Sequence, residues 1–252
     1  VAPELQSNYT SCVFQDSRKT VWNGNNKGLA VREGDKFVPV FTDQLNQKII
    51  TIAERRNGAL LVGGENGVHV VSPDKKSIRC IVPLSALTNA KEVRYFYEDR
   101  EGKIWICTYN GGLFCYEGTK LTSVNDKKHC GLPLDIFCLA RDDYGYLNIT
   151  TNRGLYRIKE TDLDNFYRNK IDYLIPYVSR KDEGILNTEF NCGFQNNFLK
   201  ASNGHIYFPS IEGVCEFIPD MPERQPLIPR IESIMIDGQK KPDGVNEIPR
   251  TG

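Results

Sequence analysis

One segment recurs five times along this chain, and a recurring segment restricts architecture more than any single motif does. The best-formed copy reads Glu98-Asp99-Arg100-Glu101-Gly102-Lys103-Ile104-Trp105-Ile106-Cys107-Thr108 and continues into Gly112-Leu113-Phe114. The copies lie near 15–31, 54–70, 98–115, 141–157 and 200–217. Each has a first-turn position (Lys19, Gly58, Gly102, Gly145, Gly204) and a second-turn glycine (Gly28, Gly67, Gly112, Gly154, Gly213). Successive second glycines are 39, 45, 42 and 59 residues apart.

The residue types agree at equivalent places. Two positions after the first turn stand Val21, Leu60, Ile104, Leu147 and Ile206, all apolar. The next position holds Trp22, Leu61, Trp105, Asn148 and Tyr207, and Leu29, Val68, Leu113, Leu155 and Val214 follow the second glycines. Asp16, Asp99 and Asp142 precede the first turn, where a short carboxylate can accept backbone N–H groups of the bend. Glycine supplies the positive φ of a tight hairpin. Each copy therefore reads as strand, turn, short strand, turn, strand. A period near 42 with about four short strands predicts one blade of a β-propeller. The expected fold is all-β, with about five four-stranded blades forming part of a larger propeller sensor. Trp22 and Trp105 fit two roles, as wedges between blades or as ligand platforms. A helical turn is expected only near Glu160 to Lys170, inserted between blades.

Composition removes several function classes. Lys plus Arg and Asp plus Glu both number 32 among 252 residues, so no net field draws the chain to nucleic acid or an anionic membrane. Apolar runs span only a few residues, against about 20 for a membrane helix, and the N-terminus does not read as a signal peptide. Eight cysteines form no C-x-x-C pair. They read as small buried side chains, or as a cross-strand disulfide such as Cys107 with Cys115. His69, His129 and His205 lack metal-ligand spacing, and no nucleophile, zinc or phosphate-loop signature is present. No metal, cofactor or catalytic residue is expected. Gly63-Gly64 and Gly111-Gly112 read as turns, and the basic pairs Lys127-Lys128 and Lys240-Lys241 as solvated surface.

The pattern of Asp99 to Leu113, D-x-x-G-x-[apolar]-W-[apolar]-x-T followed by G-L, resembles the two-component regulator propeller repeat. Gly184 to Asn191 is similar to the element introducing the last blade in that family, and Gly213 to Pro219 to its close. Pro229 to Gly238 resembles the first strand of the immunoglobulin-like domain that follows such propellers. The implied organisation is propeller repeats over 1–225, then a linker and the first strand of a truncated immunoglobulin-like domain over 226–252. The resemblance implies a periplasmic sensor of a hybrid two-component receptor in the inner membrane, sensing an oligosaccharide and controlling glycan-utilisation genes. It also implies a homodimer formed through the parent receptor, whose histidine kinase and membrane segments lie outside this fragment. The fragment itself is expected to be neither an enzyme nor a nucleic-acid binder. Lys19 and Asn148 depart from the family pattern, at the first-turn glycine and the aromatic position.

In a propeller the loops between second and third strands share one face with the interblade connections. That face offers Asn25, Asn26, Asn66, Tyr109, Asn110, Asn152, Arg153 and Glu212 as candidate ligand-binding residues. Amide side chains both donate to and accept from sugar hydroxyls. Tyr109 could stack on a sugar, and Arg153 could hold a carboxylate or sulfate. Asn beside Gly is also what a tight turn selects. A propeller scaffold for protein contacts and a propeller lyase are the alternative functions.

Overall fold

The computed structural model describes residues 9–179, 188–191 and 193–220, and the backbone of 235–236 and 239–240. Blade 1 comprises β1 (Thr10–Gln15), β2 (Val21–Asn25), β3 (Gly28–Glu33) and β4 (Lys36–Val40). Blade 2 is β5 (Ile49–Glu54), β6 (Leu60–Gly64), β7 (Gly67–Val71) and β8 (Ile78–Pro83). Blade 3 is β9 (Glu92–Glu98), β10 (Ile104–Tyr109), β11 (Gly112–Glu117) and β12 (Lys120–Ser123). Blade 4 is β13 (Cys138–Arg141), β14 (Tyr146–Thr151), β15 (Gly154–Lys159) and β16 (Tyr177–Ser179), with helix α1 (Glu160–Tyr167) between its last two strands. Blade 5 shows β17 (Leu199–Lys200), β18 (Ile206–Ser210) and β19 (Gly213–Phe217). Each sheet is an antiparallel meander in chain order, and the five sheets form a ring, a β-propeller. The helix falls in the expected stretch of sequence, but within blade 4 and not between blades. Among the described residues no helix is long and apolar enough to cross a membrane.

The chain divides into two compact units, Val1–Pro219, which holds all five blades, and Asp220–Gly252. In the second unit Met235–Ile236 pairs with Gln239–Lys240. The expected immunoglobulin-like strand otherwise lies outside the described residues, as do Gly184 to Asn187 of the last-blade element.

The turn chemistry is repeated in detail. Lys19 adopts φ +69° where its four counterparts are glycines at +80° to +86°, so the bend geometry persists without glycine. Asp16 Oδ1 accepts the N–H groups of Arg18 and Thr20, and Oδ2 accepts Trp22 Nε1 at 3.0 Å. Asp99 does the same for Glu101, Lys103 and Trp105. Burial alone would raise the Asp16 carboxyl pKa. Hydrogen bonds from Trp22, Thr20 and Arg18 and the charge of Lys75 outweigh it and hold the pKa below the usual value. Where Asn148 replaces the tryptophan, Asp142 Oδ2 accepts Asn148 Nδ2 at 3.2 Å and pairs with Arg157 at 2.7 Å. A second residue thus supplies the donor that the missing indole would have given.

Both tryptophans are buried wedges. Trp22 packs with Ile49, Ile52 and Val62 of the next blade, and Trp105 in a cluster with Leu139, Leu147 and Ile149. Complete burial of such side chains contributes about 1.5–3 kcal/mol each. Cys107 and Cys115 are free and buried. Cys107 faces Leu113 across the ladder and Cys115 faces Trp105, so the register holds the thiols apart. Gly63 and Gly64 lie inside β6, not in a turn. A Cβ on Gly64 would fall 2.0 Å from the Lys48 carbonyl, so glycine there admits the incoming interblade connection. Lys127 is also not simply solvated. Its Nζ donates to the carbonyls of Phe166 and Tyr167 at the end of α1 and to Asn169 Oδ1, satisfying acceptors a helix leaves open.

Candidate ligand-binding site on the loop face

The loops between second and third strands lie beside the interblade connections. Glu65 donates its N–H to the Lys48 carbonyl, and Lys91 to the Tyr109 carbonyl. Asp135, just before blade 4, joins two of the expected residues. Its Oδ1 accepts the Asn110 N–H at 2.9 Å and its Oδ2 accepts Asn152 Nδ2 at 3.1 Å. Tyr109 has Lys91 Nζ 5.4 Å and the Arg94 guanidinium carbon 5.1 Å from its ring centroid. Cations thus engage the ring that the sequence offered for stacking.

The other expected residues are dispersed. Asn25 is buried, donates to Asn23 Oδ1 and accepts the Lys27 N–H, which makes it a turn residue. Exposed Asn26, half-buried Asn66 and exposed Glu212 sit at three separate loop tips. Arg153 is exposed, with its backbone N–H bonded to Thr151 Oγ1.

Sequence reasoning missed the set nearest the ring centre. Ten positions before the first-turn residue stand Tyr9, Lys48, Glu92, Asp135 and Phe194, one per blade. Neighbours in this set touch: Lys48 Nζ is 3.7 Å from Glu92 Oε2, and the Tyr9 and Phe194 rings are 5.9 Å apart. Two positions further on stand Ser11, Ile50 and Arg94, each the extra residue of a β-bulge in its innermost strand. Arg94 is only 9 % exposed and pairs with Glu92, while its Nε lacks a hydrogen-bond partner. A Cβ on Gly193 would approach Arg94 Nη1 to 2.8 Å, so the chain before blade 5 runs against the guanidinium. Gln195 crosses the centre: its N–H donates to the Ser11 carbonyl and its amide bonds both backbone groups of Ile52. The constant offset from the turns was the available signal, but it emerges only when columns upstream of the motif are aligned.

The opposite face carries a cleft of about 520 Å³ lined by Asp99, Lys103, Arg141, Tyr144, Glu160 and Asp164. Its charges are largely paired. Lys103 Nζ lies 3.1 Å from Asp99, 2.7 Å from Glu101 and 2.9 Å from Asp164. Burial opposes the charge of Lys103, yet these carboxylates hold its pKa above the usual lysine value. Arg141 pairs with Glu160 at 2.7 Å. This cleft is a strut between blades more than an open receptor.

Known proteins give a consistent picture of the fold. The two-component regulator propeller family matches residues 87–110. The extracellular domain assigned to the hybrid two-component system BT3049 of B. thetaiotaomicron is 22 % identical, with a TM-score of 0.62 over 97 % of this chain and 40 % of that one. That of BT4673 from the same organism is 19 % identical, with a TM-score of 0.59 over 84 % of this chain and 30 % of that one. The chain therefore spans well under half the length of either domain. Virginiamycin B lyase from Staphylococcus aureus is 14 % identical, with a TM-score of 0.53 over 85 % of this chain and 71 % of that one. No curated protein matches the chain. The chain is a β-propeller carrying a two-component regulator propeller repeat.

Proposed function

We propose that this propeller is a ligand-sensing portion of the periplasmic domain of a hybrid two-component receptor, and that its ligand is an oligosaccharide. The observation that carries the reading is the matched repeat within a propeller that resembles the extracellular domains of BT3049 and BT4673. The loop face supports it, because it gathers amide, carboxylate, cationic and aromatic groups around one centre. On this reading the fragment binds and does not catalyse, and the parent receptor carries kinase activity and switches glycan-utilisation genes. Ligand binding would shift the balance of a dimeric receptor by its preference for one state.

Thermal unfolding against a panel of oligosaccharides tests this. A ligand at 100 times its Kd stabilises the fold by about 2.7 kcal/mol, and each kcal/mol raises the midpoint by about 2–4 °C at this size. Absence of a shift with every glycan would sink the reading and favour a protein-binding scaffold. The likeness to virginiamycin B lyase supports a second reading, as a propeller lyase. Turnover of virginiamycin B that disappears on chelation would establish it in place of sensing.

A further inference from the structure

We propose that a saccharide ring docks at the central mouth of the loop face, with Tyr9 and Phe194 as its apolar wall and Arg94 as its hydrogen-bond donor. The inference rests on the sensing reading and locates its site away from the loop tips. Three observations converge on the mouth. First, Tyr9 and Phe194 are 41 % and 51 % exposed although they hold the position that Lys48, Glu92 and Asp135 fill in the other blades. The set is thus divided into an aromatic side and a charged side. A sugar has the same division, with C–H faces suited to aromatic rings and hydroxyls suited to polar groups.

Second, the acids of this set are already committed, Glu92 to Lys48 and Arg94 and Asp135 to Asn110 and Asn152. The uncommitted groups at the bulges are the Arg94 Nε and the Ser11 hydroxyl, and both can donate. A buried donor without a partner is costly, so a ligand acceptor at Nε would recover that cost. Third, the fold does not demand arginine there, since the same bulge position is Ser11 in blade 1 and Ile50 in blade 2. Exposed Lys91 lies near the same Tyr109 ring as Arg94. The mouth therefore offers donors to a ligand rich in acceptor oxygens.

The test is calorimetric titration of the folded 252-residue chain with inulin and mannan oligosaccharides and with oligogalacturonate. For whichever glycan binds, Phe194→Ala and Arg94→Gln should each weaken affinity about ten-fold or more, equivalent to about 1.4 kcal/mol. Lys76→Ala, on a distant exposed turn, should leave it unchanged. Phe194→Leu keeps apolar bulk without the aromatic ring and should show the same loss if Phe194→Ala fails to fold. A glycan that binds wild type and all these variants within two-fold overturns the placement while the sensing reading stands. If no glycan binds wild type, the sensing reading itself falls and takes the placement with it.

Discussion

Leu113 and Val214 hold the same place in the repeat, immediately after the second-turn glycine, yet one is sealed and the other open. Leu113 is 0 % exposed, as is Val68, and Leu29 and Leu155 are at 2 % and 1 %. Val214 is 74 % exposed, with Leu199 at 65 % on the same blade. The local chemistry is therefore common to all five copies, whereas burial depends on whether another blade packs against that side. Blade 5 also differs in what surrounds the valine. Glu216 accepts bonds from His205 and Tyr207, and these lower its carboxyl pKa, the His205 bond most. A solvated polar group occupies the place that Val31, Val70, Cys115 and the buried, Asp142-paired Arg157 hold in earlier blades.

The seam between blades 3 and 4 should yield the largest effect. Trp105→Ala removes a fully buried ring and strips Asp99 Oδ2 of its indole donor. It should destabilise by about 3–5 kcal/mol, read from urea unfolding. Tyr207→Ala at the equivalent position of blade 5 should cost less than about 1 kcal/mol. Equal losses would break the contrast between the two regions.

Next comes Lys103→Met in the same seam. The Lys103 side chain is 2 % exposed and meets Asp99, Glu101 and Asp164. Removing the cation takes the ion-pair partner from buried Asp99 and one of two from half-buried Asp164, with an expected cost of about 3 kcal/mol. Asp164→Asn combined with Lys103→Met should recover part of that loss. A double variant no better than the sum of the singles would show that charge pairing does not set the seam's strength.

The seam between blades 1 and 2 should respond to acid. The folded-state pKa of Asp16 is depressed, so its contribution is present above the unfolded value near 3.8 and is lost as pH falls through the folded value. Unfolding midpoints should therefore decline below about pH 4, and Asp16→Asn should flatten that part of the profile. An unchanged acid limb in the variant would remove Asp16 from the account.

The blades were legible in the sequence because turn chemistry and alternation are local: Asp16, Asp99, Gly102 and Gly145 announce their bends through residues a few positions away. The binding face was only partly legible, for a physical reason. Asn25 and Asn110 share the Asn-near-Gly pattern, but Asn25 caps its own turn while Asn110 meets Asp135 of the next blade. That distinction depends on interblade register, which no local pattern encodes. Tyr109 looked free until Lys91 and Arg94 were brought against its ring. Phe194 lies in an irregular connection with no motif around it, so its place beside Tyr9 emerges only once the blades close around their centre.

The smallest expected effect is the most informative about blade 5. Val214→Ala removes two methyl groups from a side chain already facing water, so the transfer term that penalises core truncation is nearly absent. Its stability should stay within about 0.5 kcal/mol of wild type, whereas Leu113→Ala should lose about 2–5 kcal/mol. The pair isolates burial from residue type, because both are aliphatic residues at one repeat position. A loss of more than about 1.5 kcal/mol for Val214→Ala would mean that this face is covered in solution. The repeat's outward chemistry would then be satisfied in the fifth blade as it is in the other four.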